Sequence, residues 1–264
     1  MPDIKIIPSK AIDRKKWDEC VTRNENGLIY ARSFYLDAMV PHWSALVVGD
    51  YVAVMPLVWN RKYGIKYFCG VRFIQQLGFI GAMEISAKDL LKAVRRIAWL
   101  GDIPFNFFND FYFLNGTRTN QIIYLNREYR DIYQAYQPAL RRNIKKAERN
   151  HLCYVKGCAE DISGFMNLHA ENLANHYQEK EIISLLALAK DESAKQFFLI
   201  KKVVNKKNIP LCISLCLKDH KRIYNTLLAT SLEGKEYCAM PSLLATLLPA
   251  SAPPAMIFDF QGSD

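Results

Sequence analysis

The amino-acid sequence predicts an α/β (α+β) protein of two tandem domains, residues 1–130 and 131–264, each a mixed sheet flanked by helices. Three observations lead to this prediction. A chain of 264 residues is long enough for two domains of ordinary size. Half of the residues are hydrophobic and 12% are aromatic, as in folded globular proteins. The predicted elements also occur twice in the order helices, hairpin, helix and strand, which a duplicated unit explains.

The first half begins with two predicted helices, Ser9–Cys20, capped by its first residue, and Phe34–Met39. Two apolar runs between residues 43 and 59 meet at Gly49-Asp50, which predicts a tight hairpin. Pro56 in the second arm has no amide hydrogen to donate. It therefore predicts a bulge or a break in strand pairing.

The first half ends with one more predicted helix and two strands. A basic turn over residues 60–66 precedes SAKDLLKAVRRIAWL (residues 86–100), whose apolar residues recur at helical spacing. Ser86 and Asp89 have the spacing of a capping box at its start. Strands over residues 104–114 and 121–125 are expected to close this half.

The second half begins with YQPALRRNIKKAERN (residues 136–150), in which Leu140, Ile144 and Ala147 form one apolar stripe of a helix. Cations cover the rest of its circumference. Such a charge run is usually a solvated helix face, and an anion-binding helix is the alternative. The elements expected next are a strand (151–155), helices near 161–177 and 191–205, a hairpin (209–232) turning at 218–221, a loop and helix (233–248), and a short strand, AMIFDF (255–260).

The overall charge is +9 and the isoelectric point about 9.1, so anionic partners such as RNA, a phosphate-bearing cofactor or a lipid surface are favoured. The sequence contains no secretory signal and no run near the ~20 apolar residues of a membrane helix. We therefore expect a cytoplasmic protein without a transmembrane segment, whose seven cysteines are reduced.

No metal site is predicted. Cys212 and Cys216 lie in LCISLCL, which alternates as a strand does, and there their thiols are about 13 Å apart. The motifs CxxC, HExxH and GxxxxGK[ST] do not occur, which argues against structural zinc, zincin and P-loop chemistry.

One segment of the second half has the layout of an anion site. Strand, glycine-bearing loop and helix follow one another across Ser231–Pro241, where Gly234 and Lys235 can meet a phosphate group. A single glycine is more often only part of a turn, and that interpretation stays open.

Two side chains are candidates for proton transfer. Asp259 ends the otherwise apolar strand AMIFDF, so its carboxylate either caps the neighbouring turn or faces a cleft as a base. Tyr224 lies before the candidate loop and can donate a proton to a leaving group, although packing of the ring is the commoner role.

Three stretches, LRRNIKKAERN, EGKEYCAMPSLLATLL and FDFQGSD, resemble in order and spacing the second half of Fem-type peptidyltransferases and related acyltransferases of the GNAT-like fold. YARSFYLDAM (30–39) and FIQQLGF (73–79) are similar to the first half of uncharacterised bacterial members. The resemblance implies two tandem GNAT-like domains that transfer an acyl or aminoacyl group to an amine. The donor would be an acyl-CoA or an aminoacyl-tRNA, and no cofactor would be bound permanently.

The sequence departs from this family pattern at two places. The pyrophosphate loop of CoA-dependent members, Arg or Gln followed by Gly-x-Gly or Gly-x-Ala, is missing, because SLEGKEYCAM has one glycine. Family members also generally continue beyond the position of DFQGSD, so the second domain is expected to be incomplete at its C-terminus.

The leading hypothesis is an acyltransferase whose second domain holds the donor. Backbone amides near Thr230 and Ser231 would polarise the acyl carbonyl, and the acceptor amine would lose its proton to Asp259 or to water. Arg142 and Lys145 would lie near an anionic donor. The acceptor would be a small-molecule or peptidoglycan-precursor-like amine, with tRNA, but not DNA, among the partners.

The alternative hypothesis is a catalytically degenerate GNAT-like protein that binds RNA or a protein partner through its basic surface. Attachment to anionic lipids ranks last, because the basic residues do not cluster beside an apolar tail in the sequence.

Overall fold

The computed structural model describes residues 3–114, 116–169, 179–248 and 256–261. The chain divides into two compact units, residues 1–118 and 119–264, and each contains its own sheet. Helices flank both sheets, so the predicted fold class is confirmed.

The first unit contains a five-stranded antiparallel sheet in the order β1-β2-β3-β4, with β5 paired to β3. Its strands are β1 (Ile4–Pro8), β2 (Trp43–Val48), β3 (Ala53–Lys62), β4 (Ile65–Phe68) and β5 (Ile80–Gly81). Its helices are α1 (Arg14–Arg23), α2 (Ser33–Met39) and α3 (Ala87–Val94).

The first helix begins later than predicted. The Asp13 side chain accepts a hydrogen bond from the amide of Lys16 at 3.1 Å and caps α1, while Ser9 begins a single 3-10 turn. Strand β1, which precedes that turn, was not predicted. The Ser86 cap of α3 is confirmed, since its hydroxyl accepts a hydrogen bond from the amide of Asp89 at 3.0 Å.

The predicted hairpin is present as β2 and β3, joined by a four-residue turn in which Gly49 and Tyr51 have positive φ. Pro56 pairs with Ala45 in unbroken register, so the expected bulge is absent from this ladder. On the other side of β3, β5 pairs only with residues 53–54 and β4 only with residues 59–62. Pro56 thus lies where β3 has one strand partner among the described residues.

The predicted strand over residues 104–114 is instead a loop. Asn109 carries out through its side chain the pairing that a strand would make through its backbone. Its Oδ1 accepts from the amide of Phe79 at 2.9 Å, and its Nδ2 donates to the carbonyl of Phe79 at 3.0 Å. The other predicted strand of this half exists, but it pairs in the second sheet.

The second unit contains a six-stranded sheet in the order β6-β11-β10-β9-β8-β7. All neighbours are antiparallel except β10 and β11, which are parallel. The strands are β6 (Ile122–Tyr124), β7 (Cys153–Lys156), β8 (Phe198–Val204), β9 (Pro210–Lys218), β10 (Arg222–Thr230) and β11 (Ile257–Asp259).

Six helices are described in this unit. They are α4 (Tyr129–Ala135), α5 (Pro138–Arg149), α6 (Ala159–Leu168), α7 (Glu179–Lys190), α8 (Leu232–Glu236) and α9 (Ala239–Leu247). The β9–β10 hairpin and the strand at 153–156 are confirmed. The helix predicted near 161–177 is present as α6, and its last residues lie outside the described range. The helix predicted over 191–205 is wrong, because its second half is strand β8 and only a 3-10 turn at 195–197 precedes that strand.

Candidate active site

Strands β10 and β11 pair over three positions only, because β11 then ends. Arg222, Ile223 and Tyr224 pair with Ile257, Phe258 and Asp259. Beyond this stretch, β10 continues to Thr230 and pairs only with β9 among the described residues. One edge of β10 over residues 225–230 therefore has no strand partner among the described residues, and we call the place where the pairing with β11 ends the fork.

The ladder between β9 and β10 is irregular at the fork. The register shifts between Asn225 and Leu227. At this bulge the amide of Leu217 donates to the hydroxyl of Thr226 at 3.3 Å, and that hydroxyl donates to the carbonyl of Tyr224 at 3.2 Å. The side chain of Thr226 thus takes over part of the backbone pairing of β10.

A buried ion pair joins the two strands at the closed end of the fork. Arg222 Nη1 donates to Asp259 Oδ2 at 2.6 Å, and the residues are 5% and 1% exposed. The other carboxylate oxygen, Oδ1, accepts from the amide of Gln261 at 2.9 Å. Asp259 therefore caps the neighbouring turn, which is one of its two predicted roles. Arg222 was not singled out from the sequence, although a lone arginine beginning the apolar strand RIYNTLLAT is a detectable signal.

Tyr224 lies directly opposite Asp259 in the register of β10 and β11. Its hydroxyl donates to Asp219 Oδ2 at 3.3 Å, and the Arg222 guanidinium lies 5.7 Å from its ring centroid. Since Ile223 and Phe258 belong to the core under α9, the side chains that alternate with them lie on the opposite face of the sheet. The structure thus brings the two predicted proton-transfer residues together on that face.

The predicted anion loop caps helix α8. The hydroxyl of Ser231 accepts from the amide of Gly234 at 2.9 Å and donates to the carbonyl of Leu211 at 3.1 Å. The amide of Ser231 also donates to that carbonyl, at 2.9 Å. A Cβ added at Gly234 would lie 2.2 Å from the same oxygen, so close packing accounts for the glycine. Lys235 is exposed.

These two groups of predicted residues lie at opposite ends of β10. Six residues separate Tyr224 from Thr230, which corresponds to about 20 Å along a strand. A single acyl carbonyl therefore cannot contact both Asp259 and the amides near Ser231. The amides of Ser231 and Gly234 are also engaged within the protein, which removes them as partners for that carbonyl.

The basic helix, α5, is amphipathic as predicted. Ile144 and Ala147 are buried, and Ala147 belongs to the core that contains Leu243 of α9. Arg142 and Lys145 are exposed, and neither forms an ion pair between described residues. The helix thus packs by its apolar stripe and presents cations to solvent.

No three His, Cys, Asp or Glu side chains of the described residues are grouped as a metal site would require. Cys212 and Cys216 lie on β9, where burial raises the pKa of each thiol to about 12. Among the described helices, none has both the length and the apolar character needed to cross a membrane.

No protein-family model and no curated protein matches the sequence. Solved structures do match. FemX superposes with a TM-score of 0.69 at 11% identity, over 98% of this chain and 89% of FemX. A conserved protein of unknown function from Bacteroides thetaiotaomicron gives 0.57 at 11%, over 99% and 90%. The C-terminal domain of a putative lysylphosphatidylglycerol synthetase from Agrobacterium fabrum gives 0.50 at 10%, over 95% and 78%. The chain therefore shares the fold of FemX, which agrees with its sequence resemblance to Fem-type proteins.

Proposed function

We propose that this protein transfers an acyl or aminoacyl group to an amine, and that the donor lies along the edge of β10 that faces away from β9. The observation that carries this proposal is the fork between β10 and β11: among the described residues, 225–230 have a strand partner on one side only. The fold of the neighbouring structures supports a transferase but does not specify its substrates.

The edge of β10 that faces away from β9 supplies the chemistry that we propose for acyl transfer. In an antiparallel strand, every second residue directs its N–H and C=O groups away from its partner. Roughly half of the amides in residues 225–230 therefore face the open side. Amides that are fixed before the reaction stabilise the oxyanion that forms when an amine attacks an acyl carbonyl.

A donor molecule that is long enough can contact both ends of β10. We place the acyl group at the fork, beside Tyr224 and Asp259, and the anionic part of the donor about 20 Å away, beside Lys235. Arg142 and Lys145 extend the cationic surface for a larger donor. In this arrangement the predicted residues contact different parts of one molecule.

An aminoacyl-tRNA suits this site better than an acyl-CoA. The amide of Gly234 is satisfied by Ser231, and the segment has a single glycine, so no cradle of free amides is offered to a pyrophosphate. The exposed cations of α5 suit a polyanion. The name of the lysylphosphatidylglycerol synthetase also describes aminoacyl transfer. The acceptor would be an amine, either a small molecule or one resembling a peptidoglycan precursor.

In the reaction, the acceptor nitrogen attacks the donor carbonyl and forms the new C–N bond. The C–O bond of the aminoacyl ester, or the C–S bond of a thioester, then breaks. The ammonium proton goes to Asp259 or to water, and the hydroxyl of Tyr224 supplies a proton to the leaving group. The proton released by the ammonium then returns to Tyr224 through solvent, which restores both groups. Arg222 holds the Asp259 carboxylate in place during these steps.

The test compares transfer of a radiolabelled group from charged tRNA and from acyl-CoA to a panel of amines. Thr226→Val removes the hydroxyl at the fork, and Thr246→Val, whose hydroxyl donates only to the Leu243 carbonyl of its own helix, is the matched control. We expect Thr226→Val to lose at least tenfold in transfer while the control keeps its activity. Equal activity of both variants, or no transfer from either donor, would refute the proposal.

The degenerate RNA-binding alternative rests on α5 and gives a different result. Under this alternative the protein binds tRNA but transfers nothing. The logarithm of the binding constant should fall by roughly 0.7–0.9 per contacted phosphate for each tenfold increase in salt concentration. Arg142→Gln with Lys145→Gln would weaken this binding. Lys206→Gln with Lys207→Gln removes two exposed charges elsewhere in the same unit and is the control.

A further inference from the structure

Two segments of the first unit that are far apart in sequence form one exposed surface of apolar and cationic residues. The amide of Phe68, at the end of β4, donates to the carbonyl of Leu100 at 2.8 Å. Phe68 also forms a parallel bridge with Gly101, where a Cβ would lie 1.9 Å from the Phe68 carbonyl oxygen. Because a glycine occupies that position, the segment after α3 can lie against the β3–β4 hairpin.

The apolar side chains of this surface are unusually exposed. Tyr63 at the hairpin tip is 92% exposed and Ile65 is 61% exposed. Trp99 and Leu100 are 77% and 63% exposed. Leu100 lines a shallow depression together with the hairpin residues 62, 63, 65 and 67. We call these four exposed side chains the hairpin patch. Exposed apolar side chains that form one group usually mark a binding surface.

The two segments that form the hairpin patch are rich in cations. Residues 59–68 and 92–100 contain six lysines and arginines and no acidic residue, and Asp102 follows shortly after. Lys62 lies 5.6 Å from the Tyr63 ring centroid, and Arg95 lies 5.2 Å from that of Trp99. No ion pair between described residues includes any of the six cations.

We propose that the hairpin patch attaches the protein to the surface of an anionic lipid bilayer. Tyrosine and tryptophan favour the boundary between headgroups and acyl chains, and lysine and arginine beside them are attracted to anionic headgroups. The almost complete exposure of Tyr63 means that the hairpin tip projects from the sheet, so it can insert between deformable lipids. The surface is assembled by the fold, which is why the sequence ranks lipid attachment last.

The full-length protein is tested by cosedimentation with vesicles of 70% phosphatidylcholine and 30% phosphatidylglycerol, and with vesicles of phosphatidylcholine alone. We expect at least about tenfold stronger binding to the anionic vesicles, weakened by salt. Tyr63→Ser with Ile65→Ser should reduce binding at least about tenfold. The control is Leu168→Ser with Ile183→Ser, whose exposures of 67% and 59% match that of Ile65. Circular dichroism checks that each variant is folded.

Tryptophan fluorescence gives a second measurement. Trp17 and Trp43 are buried and Trp59 is half-buried, whereas Trp99 is exposed. Anionic vesicles should shift the emission to shorter wavelengths, brominated lipids should quench it, and Trp99→Phe should abolish both changes. The proposal is overturned by equal binding to the two vesicle types, by patch variants that bind like the parent, or by a patch that instead mediates self-association without lipid.

Discussion

Replacement of Asp259 by asparagine tests the physical basis of the fork. The Arg222–Asp259 side chains are 6% and 2% exposed and lie 2.6 Å apart. The asparagine side chain would keep the shape of the aspartate but remove the negative charge that the buried guanidinium contacts. Removal of one partner of such a pair costs about 3–5 kcal/mol of unfolding free energy.

The assay must report on the second unit alone, because a chain of two units does not unfold in a single two-state step. Native-state hydrogen exchange of peptides that cover β10 meets this requirement. The expected loss corresponds to an increase of roughly two to three and a half powers of ten in the opening equilibrium. Glu160→Gln breaks the exposed pair with Lys190 and is expected to leave the exchange almost unchanged.

The double variant Arg222→Met with Asp259→Leu separates the two possible causes of a loss. If the damage comes from an uncompensated charge, removal of both charges is less harmful than removal of Asp259 alone. An Asp259→Asn effect below tenfold, or a double variant at least as damaged as the single one, would refute this reasoning.

Three further predictions concern the second unit. Gly234→Ala should lower the unfolding free energy by about 1–3 kcal/mol in urea titrations, because the added Cβ would clash with the Leu211 carbonyl. The control, Gly164→Ala, has open space around it and should raise the unfolding free energy by about 0.5–1 kcal/mol. Ellman's reagent at pH 8 should modify Cys153 and Cys158 rapidly, but buried Cys212 and Cys216 only after unfolding. Burial opposes ionisation of Asp161, but its hydrogen bonds with Lys202 and Cys158 outweigh that effect and lower its pKa. Its stabilisation should therefore be present above the ordinary aspartate pKa and disappear as the pH falls through the lower folded pKa, where Asp161→Asn and the parent should converge in hydrogen exchange.

Local signals in the sequence were sufficient for several elements of the fold. The two hairpins, the Ser86 cap and the apolar stripe of α5 each depend on residues within a few positions of one another. Their spacing determines the structure directly, because turn geometry and helix periodicity act over short distances.

The errors arose where distant partners decide the local conformation. In FFLIKKVV the apolar residues suit either a helix or a buried strand, and pairing with β7 and β9 makes the segment strand β8. The loop at 104–114 reads as a strand by composition. There, the side chain of Asn109 bonds to the backbone of Phe79, a contact that no local pattern reveals.

The same limit applies to the candidate site. Asp259 and Tyr224 were predicted separately, but their direct opposition follows from the register of β10 and β11. Arg222 is 37 residues from its partner in the chain. By contrast, the distance between Tyr224 and Ser231 follows directly from their spacing in the sequence, because a strand has a fixed rise per residue. The predicted strand already contained this separation, but the hypothesis drawn from the sequence placed both groups at one acyl group.

The closed end of the fork is held on both faces of the same short stretch of sheet. A parallel ladder of three residue pairs is short, and side-chain contacts on both faces stabilise it. Ile223 and Phe258 are buried in the core on one face, and the Arg222–Asp259 pair is buried on the other. The pairing of β10 with β11 ends at Tyr224. The bulge in the pairing of β10 with β9 follows directly, between Asn225 and Leu227. Two buried contacts of different kinds, one apolar and one ionic, therefore stabilise the three paired positions, which explains why so short a parallel ladder is maintained.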